Sequence, residues 1–208
     1  MKKTIQILTF IFGIVFVAGI AILTQSVLAT GIGLATIAAF SKTCTDRSGG
    51  IKTLWLADIA SVDSFTLASG STTTYDTITM TSGALFYAIE FEQDLGEFRE
   101  TVSRENNSTI VEQEIEFFLP VLNETSRTAV QNMLDSSGCG FIAVVQDVND
   151  TKWVVGYSPT FLKTRPCRVI SDASSTGKAL NDPTGATVVI GCKSKTKALV
   201  TTATPATS

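Results

Sequence analysis

A chain of 208 residues, 44% of them hydrophobic and 17% charged, with only 5 prolines, carries enough apolar side chains for one buried core. That excludes wholesale disorder and fits one domain of ordinary size plus extra segments. A net charge of −3 excludes a strong general attraction for nucleic acid or an anionic membrane surface, and the absence of histidine removes the commonest general base and metal ligand.

Lys2 and Lys3 precede an uncharged stretch, residues 4–41, whose densest apolar run is 7–23. A spanning helix needs about 20 apolar residues, whereas a secretory signal joins a basic start and a shorter apolar run to a small-residue cleavage site, here after Ala29. Three readings of residues 1–41 stay open: a retained hydrophobic helix in contact with a membrane, a cleaved signal, and a start codon placed too early. Ser41, Lys42 and Thr43 before Cys44 argue against a lipoprotein, and the early acid of a pilin helix is missing.

Residues 42–200 read as a β-rich domain. A polar turn at 46–50 leads into a strand at 51–59, and the Ser/Thr-rich stretch 61–80 predicts short strands around a turn at 69–71. Residues 85–93 alternate, with Ile89 and Phe91 on one face and Glu90 and Glu92 on the other. Residues 111–119 repeat the pattern, with Ile115, Phe117 and Leu119 opposite Glu112, Glu114 and Glu116. These two segments are expected to form a long antiparallel hairpin, joined by an exposed connection at 96–108 that contains Asn106-Asn107.

Asn123 is placed to cap a helix with an apolar stripe of Ala129, Val130, Met133 and Leu134, and Ser137-Gly138 ends it. Strands at 141–146 and 152–157 flank the turn Asp147-Val148-Asn149-Asp150. Two further strands, 168–170 and 187–192, are expected around the Gly/Ser/Asp-rich stretch 171–185. Residues 201–208 are expected to be a mobile tail.

The motifs that carry chemistry give little. Ser175-Thr176-Gly177-Lys178 resembles the end of a phosphate loop, but Asp172 stands where the earlier glycine belongs and would repel phosphate. Gly31-Ile32-Gly33 lacks the third glycine of a dinucleotide fingerprint. Cys44, Cys139, Cys167 and Cys192 include no C-x-x-C pair, so no zinc site is expected; two disulfides and free buried thiols both stay open. Rows of Glu at every second position describe a solvated sheet face rather than a glycosidase pair. The Asn-x-Ser/Thr sites at Asn106, Asn107, Asn123 and Asn149 are read as incidental in a chain this rich in Ser, Thr and Asn. No enzyme activity, cofactor or metal is expected.

Charge is unevenly spread. Glu90, Glu92, Asp94, Glu97, Glu100, Glu105, Glu112, Glu114 and Glu116 outweigh Arg99 and Arg104, whereas Lys163, Arg165, Arg168, Lys178, Lys193, Lys195 and Lys197 outweigh Asp172 and Asp182.

The run Phe91-Glu92-Gln93-Asp94-Leu95-Gly96, then Phe98-Arg99-Glu100-Thr101-Val102-Ser103-Arg104-Glu105, then Val111 to Pro120, the helix, and a hairpin holding Asp147 and Trp153, resembles tail-tube and related structural proteins of tailed bacteriophages, especially those of Bacteroidetes-type bacteria. The similarity covers roughly residues 49–200. It implies a mainly β fold with one flanking helix, a β-sandwich or half-barrel. It also implies a homo-oligomeric ring, commonly a hexamer, that joins other virion proteins and stacks into a tube through which DNA passes transiently and without sequence preference.

On that resemblance Glu90, Glu92, Glu112, Glu114 and Glu116 are expected to face the channel, where carboxylates repel phosphates. Gly96, Phe98, Arg99 and Arg104 are expected on an intersubunit loop, and the acidic half of one subunit is expected to meet the basic half of the next. The amino terminus departs from the family, whose members generally need no membrane segment. The alternative to a virion protein is therefore a membrane-anchored or secreted β-domain used for surface binding.

Overall fold

The computed structural model describes residues 48–92 and 94–207; the amino-terminal apolar segment, Gly31-Ile32-Gly33 and Cys44 lie outside them. Among the described residues no helix is long and apolar enough to cross a membrane. Eleven strands and one helix follow in the order β1 (Ile51–Asp58), β2 (Val62–Leu67), β3 (Thr74–Met80), β4 (Tyr87–Ile89), β5 (Glu97–Glu105), β6 (Ser108–Pro120), α1 (Glu124–Ser136), β7 (Phe141–Asp147), β8 (Lys152–Val155), β9 (Arg168–Ser175), β10 (Gly185–Ser194) and β11 (Leu199–Thr201). The described residues are mainly β with one helix, as the sequence of this region implies.

The strands form a seven-stranded sheet ordered β2-β3-β11-β8-β7-β1-β4 and a four-stranded sheet ordered β5-β6-β10-β9. Only residues 59–61 join β1 to β2, yet β3, β11, β8 and β7 stand between them in the sheet. So short a link reaches so far across the order only if the larger sheet rolls back on itself. It does: Phe65 of β2 and Tyr75 of β3 share a cluster with Trp55 of β1, Ile142 and Val144 of β7, and Val154 of β8. The opposite face of the same strands supplies Leu54, Leu56, Ala143 and Val145 to a second core. Ile115, Phe117 and Leu119 of β6 and Val188 and Ile190 of β10 complete that core from the four-stranded sheet.

Strands covered on both faces lose the alternation of polar and apolar residues. This explains the unbroken apolar runs Leu54-Trp55-Leu56-Ala57 and Phe141 to Val145, all of them buried. Each Val, Leu, Ile or Phe withdrawn fully from water contributes about 1.5–3 kcal/mol.

The helix starts where its sequence says. Asn123 Oδ1 accepts from the Ser126 backbone N–H at 2.9 Å, and Ser126 Oγ accepts from the Asn123 N–H at 3.1 Å, a reciprocal cap. Val130 and Met133 enter the inter-sheet core, while Leu134, expected on the same stripe, is 41% exposed. The 147–150 turn forms as expected, with Asp150 at φ 64° and Asp147 Oδ1 accepting from the Thr151 N–H at 2.8 Å. The turn near 69–71 also forms, with Gly70 at φ 76°.

Four expectations are corrected. Residues 85–93 yield only the short β4, which pairs with β1 and not with β6. Beyond it the Glu92 N–H bonds Phe118 O, and Asp94 takes φ 64°, which breaks the extended run. The place beside β6 goes instead to β5, returned by a two-residue turn in which Asn106 (φ 48°) and Asn107 (φ 62°) are both left-handed, the geometry that suits a tight hairpin. Residues 96–108 are therefore a strand and a turn rather than an exposed connection. Nor is the carboxyl terminus free: the Thr202 N–H bonds Tyr75 O at 3.0 Å, the Phe86 N–H bonds Ala206 O at 2.8 Å, and Pro205 is buried. Strands β9 and β10 also reach well into the Gly/Ser/Asp-rich stretch, to Ser175 and back to Gly185.

Candidate functional site

The four-stranded sheet has one face in the core and one in solvent. Residues paired across neighbouring strands share a face, so the registers spell out the outer one. One row runs Arg99, Glu114, Gly191, Arg168; the next runs Thr101, Glu112, Lys193; a third runs Glu97, Glu116, Val189, Ser171. Glu112, Glu114 and Glu116 thus stand together, opposite the buried Val111, Ile115, Phe117 and Leu119. The alternation read in the sequence is real.

The face is not a bare acidic wall, however. Arg99 sits 2.6 Å from Glu114 and 3.8 Å from Glu97, and Lys193 sits 2.6 Å from Glu112. The Glu114 hydrogen bond and charge hold the Arg99 guanidinium above its ordinary range, and Glu112 does the same for the Lys193 ammonium. These pairs are solvent-exposed, where such contacts fix geometry more than they stabilise. Lys193, one of the basic residues of the carboxyl-terminal half, is thus matched within its own sheet.

The other expected channel residues lie elsewhere. Glu90 is one residue past β4, on the margin of the larger sheet, and Glu92 approaches this sheet through its backbone, whose N–H bonds Phe118 O at 2.9 Å. The expected intersubunit loop is the edge strand itself. Gly96 is buried just before β5, with no room for a Cβ, which would lie 2.7 Å from the Phe91 ring. Phe98 turns inward, its ring 6.2 Å from that of Trp153; Arg99 turns outward to its carboxylates, and Arg104 is exposed.

Sequence reasoning missed what lies beneath. Gln113 occupies an inward position of β6 and is buried; its Nε2 donates to Glu100 Oε1 at 3.1 Å and to Thr196 O at 3.3 Å, and its Oε1 accepts from Cys192 Sγ at 3.3 Å. Glu100 Oε1 also accepts from the Ala198 N–H at 2.6 Å. The signal was present, since a glutamine among Val111, Ile115 and Phe117 breaks an apolar row and requires partners. Next to it, Glu97, Phe98, Glu100, Asp147 and Trp153 line an open groove of about 440 Å³.

Among the described residues no group of three or more Cys, Asp or Glu side chains is placed to hold a metal ion. Compared with known protein families, curated proteins and solved structures, the chain finds no match.

Proposed function

We propose that this protein is a self-assembling virion subunit of the tail-tube type, without enzymatic activity, whose four-stranded sheet continues from one copy to the next to close a ring. The observation that carries this reading is the pair of open edges on that sheet. Among the described residues β5 and β9 each have a sheet partner on one side only, and each exposes an apolar side chain, Val102 at 52% and Ile170 at 57%. An open edge offers unpaired N–H and C=O groups to another chain.

Direction fits as well. Each neighbouring pair in this sheet is antiparallel, and an even number of alternating strands leaves β5 and β9 running in opposite senses. Copies related by rotation about an axis along the strands therefore bring β9 of one beside β5 of the next as an antiparallel pair. Such a head-to-tail contact generates a ring when the rotation closes. The charged outer face would then line the ring, with Glu97 and Glu116 facing each other in the register and no cation in their row. Net negative charge there repels passing phosphates.

The test is electron microscopy with light-scattering mass on the purified chain, with and without residues 1–41, over a range of concentration and salt. Rings are expected, and Ile170→Lys should leave a folded monomer. A wild-type chain that stays monomeric at every concentration sinks the proposal. The apolar run at 7–23 favours a second reading, a membrane-anchored or secreted binding domain, which predicts that same monomer.

A further inference from the structure

Two cysteines that lie far apart in the chain meet between the sheets. Cys192 is on β10 of the four-stranded sheet, and Cys167 exchanges backbone hydrogen bonds with Phe141 of β7 in the seven-stranded sheet, at 2.8 and 3.0 Å. Cys167 is fully buried and Cys192 half-buried against the same core. Both reach Gly156. A Cβ at Gly156 would stand 2.9 Å from Cys167 Sγ and 2.9 Å from its backbone N, and Gly156 lines a crevice of about 10 Å³ together with Cys192, Gln113 and Arg165. With φ +87° and no space for a side chain, glycine is what lets the Cys167 segment approach.

We infer that Cys167 and Cys192 are a redox-responsive dithiol that closes into a disulfide and ties one sheet to the other. The neighbouring Cys192 and burial push the Cys167 thiol up, while Cys167 holds the Cys192 thiol below its ordinary range. Cys192 is thus the more readily ionised and the more accessible of the two, which suits it to attack first. Cys192 is only partly exposed, so the oxidant we name is the smallest hydroperoxide, hydrogen peroxide.

With hydrogen peroxide, the Cys192 thiolate attacks one oxygen, the O–O bond breaks, and hydroxide leaves to take up the proton that Cys192 gave to solvent. The resulting sulfenic acid is attacked at sulfur by Cys167. The S–S bond forms as the S–O bond breaks, and the hydroxyl departs with the Cys167 proton as water. Two thiols lose two electrons in all, and the peroxide is reduced to two waters.

This inference is independent of ring assembly. The full chain, reduced and freed of reductant, is exposed to equimolar hydrogen peroxide, unfolded, alkylated and digested for peptide mass. A peptide joining Cys167 to Cys192 is expected, reversed by dithiothreitol, with a rise of roughly 5–10 °C in the unfolding midpoint of the oxidised protein. Sulfinic acid at Cys192 with Cys167 still open to alkylation overturns the pairing. The Cys192→Ser protein is expected to show no oxidant-dependent rise, and a rise of equal size in that variant overturns it too.

Discussion

The two sheets are built from similar residues to different ends. In the seven-stranded sheet, β1, β7 and β8 are buried on both faces, because the sheet rolls over one side of itself and the four-stranded sheet and α1 cover the other. The four-stranded sheet is buried on one face only; its other face is charged and both of its long edges are open. Among the described residues both sheets end in strands with one partner, β2 and β4 in the larger and β5 and β9 in the smaller, but the smaller sheet is covered on one face and leaves the other charged and open to solvent. Burial on both faces marks the scaffold, and burial on one face marks the part that the proposed assembly would use.

The sharpest way to break that contrast is to cut into the inner face of the smaller sheet. Phe117→Ala removes a fully buried ring packed against Phe91, 6.2 Å between centroids, and should cost about 3–5 kcal/mol, read as a fall in the urea midpoint at unchanged slope. The loss should be that large even though β6 belongs to the sheet with an open face, because its inner row is as dry as the scaffold. A smaller effect is expected at the cap of α1: Asn123→Ala should cost about 1 kcal/mol, a fall of roughly 2–4 °C in the thermal midpoint.

The smallest effect concerns the exposed tie between β1 and the β7–β8 turn, where Lys52 Nζ meets Asp150 Oδ1 at 2.8 Å. The Lys52 hydrogen bond and charge hold the Asp150 carboxyl below its ordinary range. A carboxyl depressed by folding stabilises above its unfolded value of about 3.9 and loses that contribution as pH falls through the lower folded value. Urea midpoints of wild type and Asp150→Asn should therefore differ slightly at neutral pH and converge in acid. A gap that widens in acid would reverse the sign.

The sequence was most legible where one face is dry and the other wet. Glu112, Glu114 and Glu116 against Ile115, Phe117 and Leu119 state the β6 alternation outright, and Asn123 and the 147–150 turn announce themselves by local hydrogen bonding. Strand β5 was illegible for a physical reason. Glu97 to Glu105 lies at an edge, carries charge on both faces, and is held by β6 and the Asn106-Asn107 turn rather than by a hydrophobic row of its own. The better-alternating 85–93 was its natural rival. Composition misread the carboxyl terminus, since Thr, Ala and Pro say nothing of the backbone bonds from Thr202 and Phe86 that pin it. No spacing signature could bring Cys167 to Cys192, because their meeting depends on how two sheets stack.

The width of the smaller sheet has a further consequence. Strands stand about 4.8 Å apart, so the four strands of one subunit span an arc of roughly 19 Å. Six such arcs joined without a gap enclose a circle of about 115 Å, or roughly 37 Å across at the backbone, and any tilt of the strands widens it. The aperture of such an assembly would then be quantised in steps of four strands, so its measured diameter would count the copies.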